Sequence, residues 1–90
     1  MRLDVFLKTS RLVKRRAVAK ELCDAGRILV GGAHAKPARE LRPGEVLTLD
    51  LPRRRLVAEV LDVPAKGNIN KDMAAELYKI IEDTPKKDDF

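Results

Sequence analysis

At Gly26 the apolar spacing of this chain changes period, and that change limits its fold most. Before Gly26 the spacing is helical. Leu3, Phe6 and Leu7 fall at i, i+3 and i+4, which predicts a short helix over Arg2 to Lys8. Thr9-Ser10 offers capping chemistry at its end. Ala19, Leu22, Cys23 and Gly26 form the stripe of a second helix, from about Lys14 to Ala25, with Val18 on its flank. Gly26 suits the left-handed residue that ends such a helix. After it, Ile28 and Val30 alternate with Arg27 and Leu29, and Gly31-Gly32 supplies a tight hairpin turn. Ala33 to Lys36 returns. Pro43-Gly44 marks a further turn, and Val46 to Leu51 alternates with Leu47, Leu49 and Leu51 on one face.

The second half continues this mixture. Pro52 to Arg55 reads as a charged loop, and Leu56 to Val63 as a strand whose two faces are equally apolar. Pro64 to Asn70 is a polar connector. Asn70 can cap a last helix, along which Met73, Leu77, Ile80 and Ile81 recur at i, i+4, i+7 and i+8. The expectation is a small α+β domain: two N-terminal helices packed on a short antiparallel sheet, plus a C-terminal helix. Its divisions are residues 1–63 for the domain, 64–84 for connector and helix, and 85–90 for a flexible tail.

Charge is unevenly spread. Residues 1–45 carry 11 basic and 5 acidic side chains, residues 46–90 carry 8 and 9. The first twenty residues hold seven bases and one acid, Asp4. Arg11, Lys14, Arg15, Arg16, Lys20 and Arg27 border the apolar stripe of the second helix. Arg16 and Lys20 lie one turn apart, and Arg27 returns near the same line if helical geometry persists. A helix anchored by its other face would hold these cations as a row for phosphates, and arginine forks can bind phosphate through two hydrogen bonds. The bland alternative is a solvated helix face with Glu21 and Asp24 as local partners. A loop arginine such as Arg54 must first be ordered, so Arg16 is expected to matter more for RNA than Arg54. Neither is expected to matter much for folding.

Counts remove other classes. The chain has one Cys, one His and one Ser. No internal disulfide is possible, and neither a four-ligand zinc site nor a hydrolase is expected. No catalytic residue, cofactor or metal is therefore assigned. Cys23 is expected in the core. His34 is read as a surface or RNA-edge residue, and Arg53-Arg54-Arg55 as either a second phosphate contact or a solvated loop. Aromatics are only Phe6, Tyr78 and Phe90, too few for base-stacking platforms. An RNA partner would be read through phosphates and shape. The longest uncharged apolar stretch, Ile28 to Ala33, is far too short to span a membrane. With no secretory leader pattern at Met1 to Val5, a cytoplasmic location is expected.

The motifs together resemble the S4 RNA-binding domain. Arg2-Leu3-Asp4-Val5-Phe6-Leu7 matches its first helix, and Arg15-Arg16 with Ala19 its basic second helix. Gly26 to Gly32 matches its Gly-Arg-Val-x-Val-Asn-Gly run, and Lys36-Pro37 and Pro43-Gly44-Glu45 its later turns. Val13-Lys14 stands for the usual Ser-Ser, Gly31 for Asn and Glu45 for Asp. The resemblance implies a small RNA-binding fold. Taken with the charge pattern, it makes Arg2, Lys8, Arg11, Lys14, Arg15, Arg16, Lys20, Arg27 and Lys36 the expected RNA-binding residues.

Ser10-Arg11-Leu12, Lys14-Arg15-Arg16, Ala74-Ala75 and Tyr78 extend the likeness to the small free-standing S4 proteins of bacterial ribosome-associated quality control. That resemblance implies a non-catalytic adaptor for large-subunit rRNA and peptidyl-tRNA on obstructed subunits. It further implies support for tailing of the stalled chain by an RqcH-type factor. Free protein is expected to be a monomer. A heat-shock S4 factor that recycles such subunits, or a general binder of structured RNA, is the alternative.

Overall fold

One antiparallel sheet of five strands, in the order β2-β1-β3-β4-β5, organises the computed structural model, which describes residues 1–65 and 69–86. The elements are α1 (Leu3–Thr9), α2 (Arg16–Asp24), β1 (Ile28–Val30), β2 (Ala33–His34), β3 (Val46–Asp50), β4 (Arg54–Val60), α3 (Lys71–Ala75) and β5 (Tyr78–Pro85). Helices and strands share a single core. Leu3, Phe6 and Leu7 of α1 and Ala19 and Cys23 of α2 meet Ile28, Val30, Leu47, Leu49, Leu56 and Val60 from one face of the sheet. The alternation places Leu56, Ala58 and Val60 inward on β4, while Val57 and Glu59 stay partly exposed. Strand pairing settles the choice of face that the apolar content of β4 leaves open.

Two turns follow directly from glycine. Gly31 and Gly32 have φ of +60° and +84°, and Val30 pairs with Ala33 across them. Positive φ at both central residues defines the turn whose twist suits a two-residue hairpin. Gly26, at φ +73°, ends α2. Its amide donates to the Cys23 carbonyl at 3.0 Å, and the Arg27 amide to Leu22 at 2.9 Å. These two bonds satisfy carbonyls that the helix end would leave unpaired.

The C-terminal segment departs from its helical periodicity. Asn70 does cap α3, its side chain accepting from the Met73 amide at 2.9 Å. The helix stops at Ala75, however, and residues 78–85 form β5 instead. The physical reason is β4. Its outer edge would otherwise carry unpaired backbone groups along its length, and β5 pairs with it from Arg54↔Pro85 to Val60↔Tyr78. A register shift between Val57 and Ala58 fits the two strands together. Ile80 and Ile81 thus sit on an edge strand, and both remain exposed. Nor is Arg53-Arg54-Arg55 one loop, since β4 begins at Arg54. Pro85 belongs to β5, and the Lys86 amide donates to Arg53 at 2.9 Å, so neither is loose tail. Residues 66–68 of the connector and 87–90 of the expected tail lie outside the described residues.

Cys23 is 6 % exposed. Burial, reinforced by the Asp4 and Asp24 carboxylates, pushes its thiol up to about 11. Alkylation at pH 8 should then run at least about a hundredfold slower than in denaturant, because so little thiolate is present. The sign for stability follows. The native state favours the neutral thiol, so this contribution is whole below pH 9 and is lost as pH rises through 11. Rapid labelling of the native chain by iodoacetamide would contradict the inward placement.

Candidate nucleic-acid interface

The loop that precedes β3 sets the position of α1. The Leu3 amide donates to the Arg39 carbonyl at 2.8 Å and the Asp4 amide to Pro37 at 3.1 Å. Two donors that a helix start cannot satisfy internally are thereby paired. Arg39 in turn meets the Glu45 carboxylate at 2.6 Å, and the Arg42 amide donates to Glu45 at 2.8 Å across the Pro43-Gly44 turn. The Arg39 hydrogen bond, with the Arg42 amide and both charges, holds Glu45 below the usual carboxylate range despite desolvation.

Asp4 joins the two helices. Its side chain is 2 % exposed, with Arg2 Nε at 3.2 Å from Oδ1, Arg2 Nη2 at 3.3 Å from Oδ2 and Arg16 Nε at 3.2 Å from Oδ2. The Val5 amide donates to Oδ1 at 2.9 Å. Burial alone would raise Asp4. The Arg16 and Val5 hydrogen bonds and the Arg16 and Arg2 charges outweigh it and hold the carboxyl below its ordinary 3.8. Sequence reasoning passed over Asp4 as a functional group. The signal was present: Asp4 stands three residues before Leu7, which places it beside the buried stripe of α1. Arg16 is therefore more than a solvated charge: its Nε donates to a buried carboxylate, which gives an otherwise exposed side chain a structural contact that the sequence reading did not include.

Around this joint the remaining cations are free. Lys8, Arg11, Lys14, Arg15 and Lys20 are exposed, and among the described residues none has a hydrogen bond or ion pair through its side chain. Lys8 is in the last turn of α1, Arg11 and Lys14 lie between the helices, and Arg15 precedes the first turn of α2. Lys20 stands one turn beyond Arg16, whose side chain is more than half exposed although its Nε bonds Asp4. Lys36 is exposed just before Pro37, the residue whose carbonyl receives the Asp4 amide. These exposed cations on and between the two helices, with Lys36 in the loop that anchors α1, are treated together as a basic rim. Arg27 is not part of it. The chain turns at Gly26, and Arg27 Nη1 faces Asp50 at 4.0 Å. Arg54, at the start of β4, meets Asp83 at 3.5 Å.

Arg11 has φ +64°, a left-handed backbone that usually selects glycine. Its amide donates to Lys8 at 3.0 Å, the Val13 amide to Leu7 at 3.0 Å and Ser10 Oγ to Leu7 at 3.2 Å. The turn is fixed by its neighbours, so a charged side chain is held where a glycine would be easier. Among the described residues, no three His, Cys, Asp or Glu side chains gather to hold a metal, and no helix is long and apolar enough to cross a membrane.

Comparison with known proteins places the rim in context. Residues 1–47 match the S4 domain. The chain is 41 % identical over 83 residues to the RQC P-site tRNA stabilizing factor of Bacillus subtilis, covering 92 % of this chain and 94 % of the relative. It is 42 % identical over 84 residues to the protein of the same name in Streptococcus pneumoniae, covering 93 % of each. Its fold also matches heat shock protein 15 of Vibrio cholerae with a TM-score of 0.79 and 23 % identity, over 89 % of this chain and 80 % of that one.

Removing Arg16 should cost stability. Arg2 still covers Asp4 in an Arg16→Ala variant and the Arg16 side chain is 56 % exposed, so the expected loss is about 1–2 kcal/mol, below the full value of a buried hydrogen bond to a charged group. The coupling is measurable: in an Asp4→Asn background the same change should cost markedly less. The folded carboxyl titrates below its unfolded value. Its contribution is therefore present above pH 3.8 and is lost as pH falls through the lower folded value. Urea titrations of the four proteins of the cycle, at neutral pH and at pH 3, read both effects. Additive losses would show that Arg16 and Asp4 do not act together.

Proposed function

We infer the function of this chain from its family: it belongs to the S4 domain family, in the branch whose members are called RQC P-site tRNA stabilizing factors. The reading is a non-catalytic RNA-binding adaptor. It acts in the cytoplasm on large ribosomal subunits that still carry peptidyl-tRNA after stalling, touching large-subunit rRNA and the tRNA. There it supports C-terminal tailing of the stalled chain by an RqcH-type factor, and the free protein is a monomer. The observation that carries the reading is the rim of unpaired cations fixed to one rigid joint, in a chain aligned over nine tenths of its length with relatives of that name.

The physics of the rim suits folded RNA. Lys8, Arg11, Lys14, Arg15, Lys20 and Lys36 supply point charges and forks for phosphates, and the Nη groups of Arg16 add a pair of donors already oriented by Asp4. Arg2 has most of its fork on Asp4 and contributes mainly charge. With the described aromatics Phe6 buried and Tyr78 part-buried at the sheet edge, no base-stacking platform is offered, and recognition rests on backbone and shape. The likeness to heat shock protein 15 speaks for the fold and does not favour subunit recycling over tailing.

Co-sedimentation with large subunits bearing peptidyl-tRNA tests the reading. If about five phosphates are neutralised, log affinity should fall with log salt at a slope of about −4. Arg15→Ala and Lys20→Ala should each weaken binding by about 1–3 kcal/mol with almost no change in Tm, because exposed charges add little to folding. A slope near zero, or equal binding by Arg15→Ala and the parent, would remove the electrostatic basis. Sequencing of RNA recovered with the protein from lysate should return large-subunit rRNA together with tRNA.

A further inference from the structure

Opposite the helices, the sheet carries a second cluster of cations that the rim does not use. Leu29, Thr48 and Val57 are paired in one row across β1, β3 and β4 and point away from the core. At the end of that row lies an open cleft of about 320 Å³. Arg27, Arg55 and Lys86 reach it from three separate segments, and His34 lines it from β2. One carboxylate, Asp50, stands among them. Lys86 Nζ contacts its Oδ1, Arg27 Nη1 is 4.0 Å from its Oδ2, and Arg55 is its cross-strand partner. The Asp50 amide also donates to the Arg27 carbonyl at 2.8 Å, which ties the turn after α2 to the sheet.

We propose that this cleft is a second RNA-backbone site, taking a phosphodiester between Arg27, Arg55 and Lys86. The inference rests on the reading of the chain as an RNA binder and adds to it a second contact surface, on the sheet. Three permanent cations face one carboxylate, so the cluster keeps a net charge of two after Asp50 is satisfied. Asp50 serves as the internal counter-ion that holds Arg27 and Lys86 in place while no RNA is bound. Both arginines remain exposed, and a guanidinium 4.0 Å from its carboxylate has donors to spare.

Geometry selects the backbone over a base. The lining holds no Phe, Tyr or Trp, its one ring is the His34 imidazole, and three of its eight residues are cations suited to phosphate oxygens. Gly26 adds shape: a Cβ there would stand 3.3 Å from the His34 imidazole, so the glycine lets the ring lie close against the turn. The cleft and the helical rim are on opposite faces of the domain. The cleft cations come from the turn after α2, β4 and the end of β5, none of which contributes to the rim.

The test is an NMR titration of the ¹⁵N-labelled full chain with an RNA hairpin whose stem is about 16 base pairs, long enough to meet successive grooves. Two groups of amides should shift, one along Lys8 to Lys20 and one at Gly26, Leu29, His34 and Thr48. The second group should saturate at higher RNA, and Arg55→Glu should abolish its shifts while the first group responds as in the parent. Arg55→Glu should also weaken binding to large subunits about tenfold and reduce the salt slope by about one. Lys86→Ala should act in the same direction, with Tm held near the parent value. Shifts confined to the first group would overturn the second site and leave the RNA-binding reading intact. Shifts in neither group would overturn both. Unchanged subunit binding by Arg55→Glu would likewise remove the second site.

Discussion

Asp4 is a carboxylate almost wholly out of water, in a chain rich in positive charge. Burying such a group costs several kcal/mol unless charges and hydrogen bonds offset it. Here Arg2, Arg16 and the Val5 amide together do so. The interaction has two consequences beyond its own energy. It fixes α2 against α1, since Arg16 opens one helix and Asp4 lies in the first turn of the other. It also restrains the Arg16 guanidinium through its Nε while more than half of that side chain stays exposed. The rim of cations inherits its geometry from this joint. A fold that lost it could keep every surface charge and still lose their arrangement.

Much of this was legible in the sequence where local chemistry decides structure. Gly26 ends α2 and Gly31-Gly32 turns the hairpin because each position requires positive φ. Leu47 and Leu49 face inward by simple alternation. Asn70 caps α3 as its side-chain chemistry indicates. The helical rim was legible for a different reason. Seven bases and one acid in twenty residues leave too few local partners, whatever the fold. The single acid then goes to the interior, and the bases that do not hold it remain free.

Other features depended on partners distant in the chain. Met73, Leu77, Ile80 and Ile81 have helical spacing, but Tyr78 to Pro85 answers the open edge of β4. Periodicity within the segment carries no information about that edge. Arg27 leaves the line of Arg16 and Lys20 because the helix ends three residues earlier, at Asp24, and it then meets Asp50 from β3. Arg54 and Arg55 lie on adjacent positions of a strand, so they point to opposite faces. A run of three arginines read as one loop therefore divides between a contact with Asp83 and the cleft on the sheet.

Arg11 shows how the small size of the domain is reconciled with a crowded charged surface. The chain must reverse between α1 and α2 within Ser10 to Arg15, and the reversal needs a left-handed residue. Glycine would take that conformation with about 1 kcal/mol less strain. It would also loosen the turn and remove a charge from the centre of the rim. The bonds from Ser10 Oγ, the Arg11 amide and the Val13 amide over-determine the backbone, and the strain is carried by a turn that cannot relax. Charge is thus held in place by backbone hydrogen bonds at Arg11 and by a buried carboxylate at Arg16. A domain whose described aromatics, Phe6 and Tyr78, build no stacking platform selects a folded RNA through such fixed positions, because loose cations would bind any polyanion equally well.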